Sequence, residues 1–201
     1  MAIIDIKLPK TIAKALRLPE NNPRRQQINV LKKLLRKARF TKFGQQYRFD
    51  EILMSKHPGK KFQELVPTFN YNSIYKNWWH KSLEGQPDVC WPGKIKYYAL
   101  SSGTSEAASK YIPITNDLLR GNKMVMIRQL LSLRGYEGIP VKSIGKGWLT
   151  LGGSTDLQKG SGYYAGDLSG ITQKKAPFWF QPFYKPGKKI AKQKELGTLF
   201  S

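Results

Sequence analysis

A short strand that opens directly into a run of small hydroxyl residues limits what this chain can fold into. Between Lys94 and Leu100, Ile95, Tyr97 and Ala99 alternate with Lys94, Lys96 and Tyr98, the period-two pattern of a half-buried strand. The strand runs into Ser101-Ser102-Gly103-Thr104-Ser105. After Tyr111-Ile112-Pro113-Ile114, Thr115 is placed to cap a helix from about Asn116 to Arg134. Leu118, Leu119, Met126, Ile127, Leu130 and Leu131 form its apolar side, and Gly135 ends it. A second short, buried strand is expected from Trp148 to Leu151, closed by Gly152-Gly153. Residues Gly160 to Gly166 read as a loop, and the chain from Pro182 on shows no pattern. Strand, loop, helix and strand in this order predict an α/β fold.

The hydroxyl-rich run has the equipment to hold an anion. Backbone N–H groups at a strand-to-loop exit can converge on it, and the hydroxyls of Ser101, Ser102, Thr104 and Ser105 can donate. Gly103 admits a close backbone approach, and Lys110 adds a point charge. On residue types alone the same cluster also describes an ordinary connecting loop. Other site patterns are missing. Gly145-Lys146 is followed by Gly147, and Lys159-Gly160-Ser161 has the wrong order for a phosphate loop of the Gly-x-x-x-x-Gly-Lys-Ser/Thr type. Gly160-x-Gly162 followed by Gly166 is not a dinucleotide fingerprint. No Gly-x-Ser-x-Gly element is present, which speaks against a hydrolase triad. His57, His80 and Cys90 are too few and too scattered to predict a protein-held metal. Asp167 in Gly166-Asp167-Leu168-Ser169 reads as a helix cap rather than a site residue.

The front of the chain reads as helical. Residues 1–23 form a lead-in ending in Pro19-Glu20-Asn21-Asn22-Pro23. Ile28, Leu31, Leu34, Leu35 and Ala38 then recur at helical spacing from Arg24 to Ala38. Thr41-Lys42-Phe43-Gly44 ends that helix, with Gly44 suited to a left-handed stop. Phe62, Leu65 and Val66 form an apolar patch that Pro67 closes. Asn72 or Ser73 is expected to cap a helix through Ile74, Tyr75, Trp78, Trp79 and Leu83, stopped by Gly85. Trp78 and Trp79 are adjacent and so cannot share one helical face. Cys90-Trp91-Pro92-Gly93 reads as a turn.

The chain carries 35 Lys and Arg against 13 Asp and Glu, a net charge of +22, which raises a nucleic-acid or anionic-surface partner as a question. The charge concentrates in Arg24 to Lys42 and in Lys174 to Lys194, where seven lysines stand without an acid. Neither stretch interleaves arginine with aromatics as nucleic-acid modules do, so a solvated basic surface is the simpler reading. Hydrophobic residues make up 40% of the 201 positions, enough for a real core and too many for a disordered chain. No apolar run is long enough to span a membrane, and the N-terminus lacks signal-peptide architecture. The lone Cys90 fits a cytoplasmic setting.

Several blocks, in order, resemble the Gretchen Hagen family of acyl-amido synthetases (the auxin-responsive promoter family), specifically its bacterial members. Tyr97 to Ser105, followed by Ser109-Lys110-Tyr111-Ile112-Pro113, resembles its nucleotide loop. Leu34 to Ala38 with Thr41-Lys42-Phe43-Gly44, Tyr47 and Phe49 resembles its leading helix and exit. Phe62 to Pro67 with Tyr71 resembles its Phe-x-x-x-Val-Pro-x-x-x-Tyr block. Trp91 to Lys96, Leu151 to Ser154 and Gly166 to Ile171 resemble further blocks. The resemblance implies an adenylate-forming α/β large domain, present only in its N-terminal part. It divides the chain into a lead-in (1–23), a partial N-terminal adenylation domain (24–185) and a basic tail, disordered or aberrant (186–201). It also implies ATP as a substrate with Mg2+, and a carboxylic acid and an amino acid as the partners joined. Ser101, Ser102, Gly103, Thr104 and Ser105 would hold the ATP phosphates, with Lys110 as an auxiliary contact. Ser105 departs from the second threonine that many relatives carry, but it keeps the hydroxyl. Family members are longer, so the chain alone is expected to be inactive, as a truncation, a frameshift product or a decayed gene would be. The alternative is a small basic protein that binds nucleic acid or anionic surfaces without catalysis.

Overall fold

The computed structural model describes residues 22–101, 110–132, 147–149, 152–176, 184, 185, 187 and 190. Its first part is helical. Helix α1 (Pro23–Ala38) starts where Asn22 Oδ1 accepts from the Arg25 amide at 3.0 Å, with Pro23 in the first turn, where no donor is needed. Leu35 and Ala38 are its buried residues, while Leu34 remains exposed. The chain then reverses at Thr41, which is fully buried. Its hydroxyl donates to Ala38 O at 2.7 Å and accepts from the Gly44 amide at 3.0 Å. This starts helix α2 (Lys42–Gln46), whose first amides are satisfied by the carbonyls of Asp88 and Val89 at 2.9 Å.

Gly44 therefore does not stop a helix. It lies inside α2, and a Cβ there would stand 2.1 Å from the carbonyl oxygen of Ala38. The glycine is required by close backbone approach, not by a left-handed turn. Helices α3 (Phe49–Met54) and α4 (Pro58–Leu65) complete a first core of Leu35, Ala38, Phe49 and Ile52, with Phe43, Phe62, Leu65 and Trp91 packed around it. The patch before Pro67 thus forms part of a helix and its exit.

A helix over 71–83 follows in three pieces: α5 (Tyr71–Ile74), a π turn (Tyr75–Trp79) and α6 (His80–Leu83). Its cap is Asn70 rather than Asn72 or Ser73. Ser73 serves instead as the reciprocal partner in a capping box, its amide donating to Asn70 Oδ1 at 2.8 Å. Gly85, at φ +90°, ends the helix as expected. The adjacent tryptophans diverge. Trp78 packs edge-on against Phe43 at 5.1 Å, and Trp79 against Tyr71 at 6.1 Å. The expected turn closes where Asp88 Oδ1 accepts from the Gly93 amide at 2.7 Å.

The second part is a four-stranded sheet, ordered β2-β1-β5-β4, from β1 (Tyr97–Ser101), β2 (Lys110–Ile114), β4 (Gln158–Lys159) and β5 (Tyr164–Gly166). Strand β1 pairs antiparallel with β2 and parallel with β5. Two expectations are corrected here. Residues 111–114 form a strand, so the hydroxyl-rich run links two strands of a hairpin before the long helix begins. The segment read as a loop at Gly160 to Gly166 contributes β5, a central strand. Tyr98 and Ala99 fall on opposite faces of the alternating strand, yet both are buried, because β1 is covered on both faces.

Helix α7 (Asn116–Ser132) follows β2, and Thr115 Oγ1 accepts from the Leu118 amide at 3.1 Å, the expected cap. Ile127 is buried on its inner side, but Leu118 and Val125 are exposed. Gly135 lies outside the described residues. Strand β3 (Trp148–Leu149) pairs parallel with β6 (Tyr184–Lys185). Within the strand expected to be buried, Leu149 is 71% exposed, and Thr150 and Leu151 lie outside the described residues. Helix α8 (Leu168–Lys174) lies on β1, and Ala99, Ile114, Leu157 and Ile171 make a second core.

Candidate functional site

The hairpin pairs the residue that opens the hydroxyl-rich run with the lysine that follows it in sequence. Ser101 and Lys110 are register partners at the open end of β1 and β2. Ser101 is half-buried and Lys110 is exposed. Ser102, Gly103, Thr104 and Ser105 lie outside the described residues. The run leaves the sheet at the carboxyl end of the parallel pair β1 and β5, the edge where open α/β sheets bind ligands.

A second structure forms where β5 ends. Asp167 occupies the cap position of α8, as expected, but its side chain makes no capping hydrogen bond. It leans against the 152–154 segment instead, where a Cβ on Gly153 would meet Asp167 Oδ2 at 2.1 Å. The Gly153 amide donates to Ser169 Oγ at 2.7 Å, and a Cβ on Gly170 would meet Ser154 O at 2.0 Å. The blocks around Gly152-Gly153 and Gly166 to Ile171 are thus packed closely, backbone on backbone at Gly170 and backbone on side chain at Gly152 and Gly153. Small residues allow the approach, and hydroxyls satisfy the amides that result.

The face of the hairpin carrying Tyr98 is aromatic. Tyr98, Tyr111 and Tyr163 meet edge to face, with centroids 5.3 to 6.4 Å apart. Burial raises the Tyr98 hydroxyl above the ordinary phenol range, with smaller contributions from Tyr163 and Tyr75. Tyr75 and Tyr163 are raised for the same first reason. All three remain neutral hydroxyls at neutral pH. Tyr71 joins the helical part to the hairpin: its hydroxyl oxygen accepts from the Tyr111 amide at 3.0 Å.

A further tie lies behind the site. Asp117, in the first turn of α7, accepts from Trp91 Nε1 at 2.9 Å and pairs with Lys37 Nζ at 2.6 Å. The Lys37 ammonium, first among its partners, holds the Asp117 carboxyl below the usual carboxylate range. Residue patterns alone missed Tyr163 and Asp117, and quoted Tyr71 only as part of a block. The Tyr163-Tyr164 pair beside the Gly160-Ser161-Gly162 turn was the available sign of a hairpin. Asp117 gave no such sign, because its partners are 26 and 80 positions away in sequence.

The helical layer and the mixed four-stranded sheet define an α/β domain. The GH3 family N-terminal domain matches residues 13–197, and the chain belongs to that family. Among solved structures it is similar to a GH3.15 acyl acid amido synthetase, at 21% identity and a TM-score of 0.63, over 87% of this chain and 29% of that one. A second structure, AtGH3.15 acyl acid amido synthetase in complex with 2,4-DB, aligns at 20% identity and a TM-score of 0.47, over 78% of this chain and 30% of that one. The chain thus spans under a third of the length of the solved synthetases it matches. The first likeness is one of fold. No curated protein matches the chain. Among the described residues no helix is long and apolar enough to cross a membrane.

Proposed function

We propose that this chain supplies the phosphate-gripping part of an ATP-dependent acyl-amido synthetase. Ser101, Ser102, Gly103, Thr104 and Ser105 hold the ATP phosphates, with Lys110 as an added cation. The observation that carries this reading is the pairing of Ser101 with Lys110 at the carboxyl end of β1 and β5. In support, Ser101 and Lys110 stand at the edge where open α/β sheets hold ligands. In the reaction, a carboxylate oxygen attacks the α-phosphorus, the bond to pyrophosphate breaks, and pyrophosphate leaves. An amino-acid nitrogen then displaces AMP from the acyl carbon to form the amide. Hydroxyl and amide donors at the run contribute by positioning the phosphates and stabilising charge that develops on the leaving group. Mg2+, when bound with the nucleotide, would supply charge neutralisation. Among the described residues no group of three His, Cys, Asp or Glu is set to hold a metal, so no step is assigned to the ion.

Positions 24–185 form the partial adenylation domain in this reading, with 1–23 as lead-in and 186–201 as a basic tail. The chain alone grips nucleotide but does not complete the reaction, and it works in the cytoplasm. Titration calorimetry with MgATP tests this reading, with Lys110→Ala expected to weaken binding about five- to tenfold, the loss of one charge-assisted contact. Absence of binding by the unaltered chain would overturn it. Robust ATP–pyrophosphate exchange by the chain would overturn the claim that it is inactive alone.

One observation favours the second reading, a polyanion-binding surface. Tyr97 and Tyr164 stack at 5.8 Å, with Lys175 4.7 Å from the first ring and Lys174 5.5 Å from the second. Salt-sensitive DNA binding without ATP affinity would put this reading first.

A further inference from the structure

We infer that Tyr71 is a positioning residue for Lys110, parking its ammonium at the mouth of the hairpin so that it meets phosphate already oriented. The inference rests on the phosphate-gripping reading above.

It begins from strand β2, which lies at the edge of the sheet. An edge strand presents outward N–H groups that need partners. Within β2, Pro113 has no N–H, and the Tyr111 amide points away from β1 to Tyr71 Oη at 3.0 Å. In an antiparallel ladder, residues 111 and 113 share one orientation and 110, 112 and 114 the other. The outward donors of β2 are therefore dealt with by one proline and one phenol. The helical part thus grips the hairpin one residue from Lys110.

The same phenol serves Lys110 itself. Its Nζ stands 5.3 Å from the centre of the Tyr71 ring, within range of a cation–π contact. Lys110 is exposed, so its long side chain would otherwise sample many rotamers and lose that freedom on binding. Resting on the ring restricts it beforehand. Tyr71 is itself held firmly. It opens α5, stacks on Tyr75 at 5.6 Å and 22°, and meets Trp79 edge-on. Nothing in this arrangement requires Tyr71 to touch nucleotide. It acts through Lys110 and the Tyr111 backbone.

The test is a double-mutant cycle on the full chain, read as the MgATP dissociation constant by calorimetry. Tyr71→Leu removes ring and hydroxyl and is expected to weaken binding about fivefold, the scale of one exposed cation–π contact plus one hydrogen bond. Tyr71→Phe keeps the ring and fold and is expected to weaken it about twofold. In a Lys110→Ala background, Tyr71→Leu is expected to keep no more than the roughly twofold loss of Tyr71→Phe, the part that runs through the Tyr111 amide, because the larger part runs through the missing ammonium. The Lys110 ε-methylene proton shift, moved by the ring in the unaltered chain, returns to its ordinary position in Tyr71→Leu and not in Tyr71→Phe. A Tyr71→Leu penalty that persists in full without Lys110 would show a merely structural role and overturn the inference. So would unchanged binding in Tyr71→Leu, or in Tyr71→Phe an ε-methylene shift already lost. If the unaltered chain binds no MgATP, the phosphate-gripping reading fails first and takes this inference with it. The unaltered chain alone therefore separates the two failures.

Discussion

The two halves of the molecule are held together by different means. The helical half is filled by large side chains. Phe43 alone contacts the rings of Tyr47, Phe49, Phe69 and Trp78, over a base of Leu35 and Ile52. The sheet half is drawn tight by the absence of side chains. Gly170 lies against the Ser154 backbone and Gly153 against the Asp167 side chain, both at distances that any Cβ would violate. A side-chain core can repack around a change of shape, whereas a backbone contact through glycine cannot. The helical half has one such contact, Gly44 on the Ala38 carbonyl, set within a core of large side chains. The half that carries the proposed phosphate run has its own at Gly170, beside the end of β5, as a site that must hold its geometry requires.

The largest expected effect tests the first half of this contrast. Ile52 is 0% exposed and central to the helical core. Ile52→Ala is expected to cost about 3–4 kcal/mol in urea unfolding, from lost transfer energy and the cavity left behind. Leu35→Met should cost under about 1.5 kcal/mol, because volume is kept. Next come the glycines. Gly170→Ala is expected to cost about 2–3 kcal/mol and to weaken MgATP binding as well, since the added methyl pushes Ser154 away from α8. Gly44→Ala, with its clash on Ala38 O, should cost as much stability but leave nucleotide affinity nearly unchanged. Equal loss of affinity in both would erase the distinction between the halves.

How much of this was legible in the sequence follows the same division. Helix α1, the cap at Thr115 and the strand at Tyr97 were readable because periodicity and capping are local. Gly44 was correctly singled out for the wrong reason. A glycine needed for φ and one needed for clearance look alike until the neighbouring carbonyl is in place. Strand β5 was hard to read because its Tyr-Ala-Gly is short and lacks alternation, leaving the Tyr163-Tyr164 pair after the glycine turn as its one local sign. Pairing with β1 and β4 makes it a strand. At the site, the hydroxyl-rich run was plain, but Tyr71 and Asp117 work through partners that sequence distance conceals.

A smaller effect is expected at the tie between the halves. Asp117 bridges α7 to Lys37 of α1 and to Trp91. Its carboxyl is held low in the folded state, chiefly by Lys37. A depressed folded pKa means stability is present above the unfolded value of about 3.9 and is lost as pH falls through the folded one. Asp117→Asn should therefore cost about 1 kcal/mol or less near neutrality, given the part-exposed partners. It should also flatten stability against pH below about 4. An unchanged acid slope in urea midpoints would remove Asp117 from the tie.

The smallest expected effect concerns Tyr98, and it bears on why the sheet's aromatic face carries hydroxyls at all. Tyr98 is fully buried, and among the described residues its hydroxyl has no hydrogen-bond partner. A buried unsatisfied hydroxyl costs free energy that phenylalanine would not, so Tyr98→Phe should be neutral or stabilising by about 1 kcal/mol. The pH dependence gives the sharper reading. Burial raises the folded Tyr98 pKa, so the unfolded chain ionises first as pH passes about 10, and stability falls from there upward. Tyr98→Phe should reduce that alkaline slope without abolishing it, because Tyr75 and Tyr163 are raised too. Destabilisation near neutral pH, by contrast, would mean that the hydroxyl does have a partner. The face of β1 beneath the hydroxyl-rich run would then be polar and hydrogen-bonded, and the contrast between the two halves would need redrawing around it.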